Sequence, residues 1–249
     1  MDEFCFEKTM NKILELQKGK CMIINDVHGN WKDYQQVKKV FLELIKKDEA
    51  DCLVINGDMI HAYEGEDSSI DILEDVFELM KTHKVVYLLG NHEFAHVVGK
   101  LLKKKGLEFA SGFQNASGER FLDYKNFFSS CPLILKFGNV VVSHSGAFNI
   151  DELNDEEKLY EALNSKNEFQ YGQGNYGNML LKFLKFFNAE FIISGHIPCS
   201  EGFEIIFNKQ IRITTGYGSE NDKKKYMLVD AEKDYKDIDE LASCIRNLY

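Results

Sequence analysis

Arginine is nearly missing from this chain. Of 30 basic residues in 249, only Arg120, Arg212 and Arg246 are arginine. The usual bidentate clamp for a phosphate or carboxylate is therefore in short supply. Proline occurs only twice, and no repeat, low-complexity tract or linker interrupts the sequence. No apolar run approaches the roughly 20 residues that cross a bilayer. The opening "MDEFCFEKTMNK" is acidic at its start and lacks the apolar block of a signal peptide. The six cysteines (5, 21, 52, 131, 199 and 244) include no C-x-x-C pair, which argues against a zinc knuckle and points to a reducing, cytoplasmic setting. A net charge of −10 argues against general nucleic-acid binding. The short runs Lys103–Lys105 and Lys223–Lys225 read as solvated charge.

The residues that are present alternate by type. A first amphipathic helix is expected over Phe6–Lys18. "KCMIIN" (20–25), "DCLVIN" (51–56) and "KVVYLL" (84–89) are short apolar runs of strands covered on both faces. Between and after them, "WKDYQQVKKVFLELIKK", "SIDILEDVFELMKTH" and "HEFAHVVGKLLKKK" carry helical periodicity. This β-α-β-α-β order predicts a parallel sheet with right-handed crossovers. Beyond residue 132, "PLILKF" and "NVVVSHS" predict a hairpin over Gly138-Asn139. Helices follow around 155–165 and 176–188, then a strand at "EFIISGH". A second hairpin is expected over Asn208-Lys209, and a late strand at "KKYMLVDAE". One domain over 1–249 with two sheets accounts for all of it.

Each strand ends in polar chemistry. The first run leads to Asp26 and His28, the second to Gly57, Asp58 and His61, and the third to Gly90-Asn91-His92-Glu93. "NVVVS" leads to His144, and "FIIS" to Gly195-His196. Any one of these is an ordinary turn. All five together would place two Asp, one Asn and several His on one rim, since open α/β sheets build sites beyond the carboxyl ends of their strands. Carboxylate, amide and imidazole donors without thiolate suit Mn, Fe or Zn. One shared Asp can bridge two ions about 3.5–4 Å apart, the arrangement that clamps in-line displacement at phosphorus.

The series "NDVHGN", "INGDMIH", "LLGNHE", "VVVSHSG" and "ISGH" resembles the calcineurin-like metallophosphoesterases, and within them the phosphoprotein phosphatase branch. The resemblance implies an α/β fold, a β-sandwich of two mixed sheets flanked by helices. It implies two divalent metal ions, with Asp26, His28 and Asp58 on one and Asp58, Asn91, His144 and His196 on the other. Attack would come from a hydroxide bridging the ions, with His92 as general acid on the leaving alkoxide.

Two departures stand out. Where that branch continues Gly-Asp with two residues and then Asp-Arg-Gly, this chain has Met59-Ile60-His61-Ala62. His61 thus replaces the Asp that orients the catalytic His, and joins His92 as a candidate catalytic residue. Ala62 replaces a phosphate-gripping Arg, leaving Arg212 and Tyr217 as candidates for substrate binding. The expected partner is a phosphorylated protein or small phosphoester, with no membrane and no general nucleic-acid role. A phosphodiesterase or dinucleoside polyphosphate hydrolase is the competing reading, and a non-catalytic scaffold a third.

Overall fold

A computed structural model describes residues 6–7, 12–104, 107–164 and 167–249. In chain order the elements begin with β1 (Phe6–Glu7), β2 (Ile13–Leu16), β3 (Lys20–Ile24), α1 (Trp31–Lys46), β4 (Cys52–Asn56), α2 (Ser69–Thr82), β5 (Lys84–Leu88) and α3 (Asn91–Val98). Next come β6 (Lys103–Lys104), β7 (Leu107–Glu108), α4 (Ala110–Ser117), α5 (Phe121–Ser130), β8 (Ile134–Phe137) and β9 (Val140–Ser143). The chain continues with α6 (Glu156–Asn164), α7 (Asn167–Phe186), β10 (Phe191–Ser194), β11 (Phe203–Ile206), β12 (Gln210–Ile213), β13 (Lys225–Asp230), α8 (Ile238–Ala242) and β14 (Ile245–Asn247).

Two mixed sheets face each other. One has the order β14-β13-β3-β4-β5, the other β1-β2-β8-β9-β10-β12-β11. β3, β4 and β5 are parallel, in register Cys21↔Cys52↔Lys84, as the alternation of strand and helix requires. The strand side chains then divide by parity. Cys21, Ile23, Cys52 and Val54 meet Leu135, Phe137, Val140, Val142 and Ile193 in the layer between the sheets. Met22, Ile24, Leu53 and Ile55 face outward onto Tyr34, Val37 and Phe41 of α1 and Ile72 and Val76 of α2. That double coverage is why the runs are apolar at every position. The result is a helix-flanked β-sandwich.

The helix expected over Phe6–Lys18 is corrected. Phe6–Glu7 and Ile13–Leu16 are strands, and residues 8–11 lie outside the described ones. Ile13–Glu15 pair in parallel with Ile134–Lys136, a partner about 120 residues away that local periodicity does not register. The helix opened by Asn91 is also shorter than expected. It stops at Gly99, which caps it in the left-handed conformation (φ 68°) before the lysine run is reached. No described helix is long and apolar enough to cross a membrane.

Candidate functional site

Five connections carry the site, each leaving the carboxyl end of a strand: β3 to Asp26 and His28, β4 to Asp58 and His61, β5 to Asn91 and His92, β9 to His144, β10 to His196. The first three belong to one sheet and the last two to the other, so the site lies on the seam of the sandwich. The backbone is tightly folded here. Asp26, His28, Asp58, His61 and His196 all have positive φ, between 48° and 69°, a conformation that costs a non-glycine residue about 1–3 kcal/mol. Glycine is required at two contacts. A Cβ on Gly90 would collide with Oδ1 and the amide of Asp58, and one on Gly195 with the side chains of Asn25 and Asp26.

Asp58 sits at the centre. Its Oδ2 lies 3.3 Å from His144 Nε2 and 3.7 Å from His28 Nε2, while Oδ1 accepts the His92 amide at 3.0 Å. Asn91 Oδ1 lies 3.0 Å from His144 Nε2 and 2.9 Å from His196 Nδ1. The Asn91 amide nitrogen donates to Asn164 Oδ1, which turns the oxygen inward. Asp26 accepts the His196 amide at 3.0 and 3.1 Å and stands 3.9 Å from His28 Nε2. Two groups of donor atoms lie close enough to share an ion: Asp58, His144 and His196, and His28, Asp58 and His92. The first is part of the expected set. The second contains His92 where the resemblance implies Asp26.

The donor set fits divalent cations. His144 Nδ1–H donates to the Asn56 carbonyl at 2.7 Å and His28 Nδ1–H to the Ile60 carbonyl at 3.3 Å, so each turns its Nε2 to the centre, where a bound ion would displace any proton it carries. Metal-ligating histidines are oriented in this way. The electrostatics agree. Burial alone would raise the Asp58 carboxyl and lower the His144 imidazole. Their mutual attraction reverses both, holding Asp58 well below the usual carboxylate range and His144 up at about 10. Asp26 is pushed up to about 7, chiefly by burial. Two buried carboxylates here draw in positive charge.

His61 lies beside His92 as expected, Nδ1 to Nδ1 at 2.9 Å. Tyr217 reaches the site: its ring stands 5.8 Å from that of His28 and its amide donates to the Asp26 carbonyl. Arg212 is buried in β12 with Nη1 donating to Glu204 on the neighbouring strand. The Asp26 carboxylate is felt there electrostatically. Three residues were not singled out from sequence. Tyr63 packs edge-on to His28 (4.7 Å) and places its hydroxyl 2.9 Å from His92 Nε2. Glu93, fully buried, accepts the amides of Asp58 and Met59 at 3.0 and 2.9 Å and the Tyr87 hydroxyl at 2.9 Å. His96 completes a contact with His61. Only Glu93 carried a signal, its place in "GNHE".

Solved structures share the fold. A mutant of a cold-active protein tyrosine phosphatase matches with TM-score 0.61 at 16% identity, covering 93% of this chain and 85% of that one. The same type of enzyme from a psychrophilic Shewanella species gives TM-score 0.55 at 16% identity, covering 92% and 83%. A protein serine/threonine phosphatase from Saccharomyces cerevisiae, with similarity to human phosphatase PP5, gives 0.54 at 14%, covering 92% and 87%. A search of curated proteins finds no match. The family model described as calcineurin-like phosphoesterase matches residues 19–200, most of the sequence. The chain therefore belongs to the calcineurin-like phosphoesterase family, metal-dependent hydrolases of phosphoric esters.

Proposed function

We propose that this chain is a two-metal phosphomonoesterase resembling the phosphoprotein phosphatases. Asp26, His28 and Asp58 would hold one ion, and Asp58, Asn91, His144 and His196 the other. The observation that carries the reading is that both donor groups share Asp58. Bound cations at such a site supply Lewis acidity, lowering the pKa of water and offsetting charge on the phosphoryl group. The protein does the rest. Asn56 and Ile60 carbonyls hold His144 and His28 in the ligating tautomer. His92 opens α3 with Nε2 toward the centre, 3.9 Å from Asp58 Oδ2, where it can protonate a leaving alkoxide. Tyr63 and Tyr217, their rings 4.5 Å apart, wall the mouth beside His28. The phosphoprotein phosphatases among the structural relatives support the choice of monoester.

That aromatic wall also favours the alternative, a nucleotide or dinucleoside polyphosphate hydrolase, because a base can stack there. A panel supplemented with manganese, iron or zinc separates the two. It would compare a phosphopeptide, an alkyl phosphate, a phosphodiester and a dinucleoside polyphosphate. Inorganic phosphate from the first two is expected. Nucleotide products alone would establish the alternative, and no turnover of any substrate would leave a scaffold.

A further inference from the structure

His92 and His96 lie one turn apart on the same face of α3, and His61 reaches across from the loop after β4 to touch both. Its Nδ1 is 2.9 Å from His92 Nδ1 and its Nε2 is 3.0 Å from His96 Nε2. The three imidazoles form one hydrogen-bonded file. It is rigidly housed: the His61 amide donates to Ser69 Oγ at 2.7 Å, and the ring stacks on Phe109 with Phe113 edge-on. His96 is packed by the rings of Phe113, Phe121 and Phe128. Neither ring has solvent to complete its hydrogen bonds, His61 being fully buried and His96 4% exposed.

A proton count assigns the four nitrogens that face one another along the file. An acid at His92 must carry protons on both nitrogens, so its Nδ1–H has to donate to His61. His61 Nδ1 must then be the bare lone pair, which places its single proton on Nε2. That N–H is buried and can be satisfied only by a lone pair on His96 Nε2. Burial keeps both supporting rings neutral, His61 well below its usual range and His96 down at about 4. We propose that His96 is a positioning residue. Its Nε2 accepts from His61 and so fixes the tautomer with which His61 accepts from His92.

This rests on the phosphatase reading for its catalytic consequence, while the tautomer can be read without turnover. The experiment compares wild type, His96→Phe and His96→Gln. Phenylalanine suits an aromatic pocket but offers no acceptor, whereas the glutamine Oε1 restores one. In the zinc-loaded chain, imidazole 15N spectra should show His61 protonated on Nε2 with scalar coupling across to His96 Nε2. Phenylalanine should abolish that coupling. On an alkyl phosphate His96→Phe should lower kcat about 10–100-fold, the range for removing groups that orient others. KM should hold, p-nitrophenyl phosphate should suffer far less, and glutamine should recover most of the loss. A wild-type His61 protonated on Nδ1 overturns the proposal. So does an equal loss in both variants and on both substrates, tracking the melting temperature. If wild type has no phosphatase activity, the function above fails, and the tautomer alone decides the file.

Discussion

Replacing Glu93 with Gln tests what holds the central turn. The Glu93 carboxylate has no exposure and divides its oxygens, Oε2 to the Asp58 amide and Oε1 to the Met59 amide and the Tyr87 hydroxyl. Gln is isosteric, so no cavity forms, but it has only one acceptor. With its oxygen kept on Met59 and Tyr87, its NH2 group faces the Asp58 N–H, donor against donor. The change removes one hydrogen bond to a charged acceptor, about 1.5–3 kcal/mol, and leaves a buried donor unpaired at about 1–3 kcal/mol. These overlap, so the expected loss is about 2–4 kcal/mol by urea unfolding of the metal-free chain. The second consequence is specific. Asp58 holds φ 53°, and the clip across its amide opposes relaxation out of that conformation. Released, the carboxylate should drift from His28 and His144, weakening zinc or manganese about 10–100-fold in a chelator competition. Wild-type stability together with wild-type metal affinity would refute the reasoning. A loss of stability alone would make Glu93 a structural clip with no hold on the ligand.

Asp58→Asn should abolish activity and bring bound metal below two per chain by elemental analysis, since Asp58 alone belongs to both groups. Two tight metals with normal turnover would remove it from the bridge. His92→Ala should cost about 10²–10⁴-fold on alkyl phosphates and much less on p-nitrophenyl phosphate, which needs little protonation. Equal losses on both would contradict the acid role. His96, down at about 4 mainly through burial, faces His61, Glu108 and Lys125. A folded pKa below the unfolded 6.5 means that the unfolded chain binds the proton first. The stability that His96 contributes is thus intact above about pH 6.5 and declines toward pH 4, by about 3 kcal/mol at most. His96→Phe should flatten that limb in pH-dependent unfolding, and an unchanged slope would mean that other groups govern it.

The strands that carry the site were legible because each is covered on both faces and ends in its functional residue. "CMIIND" and "CLVINGD" announce burial and chemistry within a few positions of each other. Helix α1 was equally plain from the spacing of Val37, Phe41 and Leu44. What escaped depends on distant partners. Ile13–Leu16 have helical spacing in isolation and become a strand only because the edge at Ile134–Lys136 is open to them. Helices α4 and α5 pass unnoticed because Gly112 and Gly118 break the apolar rhythm of their segment. At the site, His61 was legible as a departure from a motif. His96 reads as an ordinary polar position on an amphipathic helix until His61 folds against it. Tyr63 and Glu93 act through one hydroxyl and one carboxylate whose targets come from other strands.

Because Asp26, Asp58 and Asn91 issue from one sheet and His144 and His196 from the other, the centre is also a mechanical joint. Apolar side chains resist separation of two layers strongly but resist sliding weakly, having no preferred direction of contact. Coordinate bonds do have one. A slip of the layers by a single residue, about 3.3 Å, would exceed any tolerable ligand distance. Cations held across this seam would therefore lock the sandwich against shear. Their removal should show first as faster amide exchange in β9 and β10, at the ends nearest the joint, while the outer helices keep their protection.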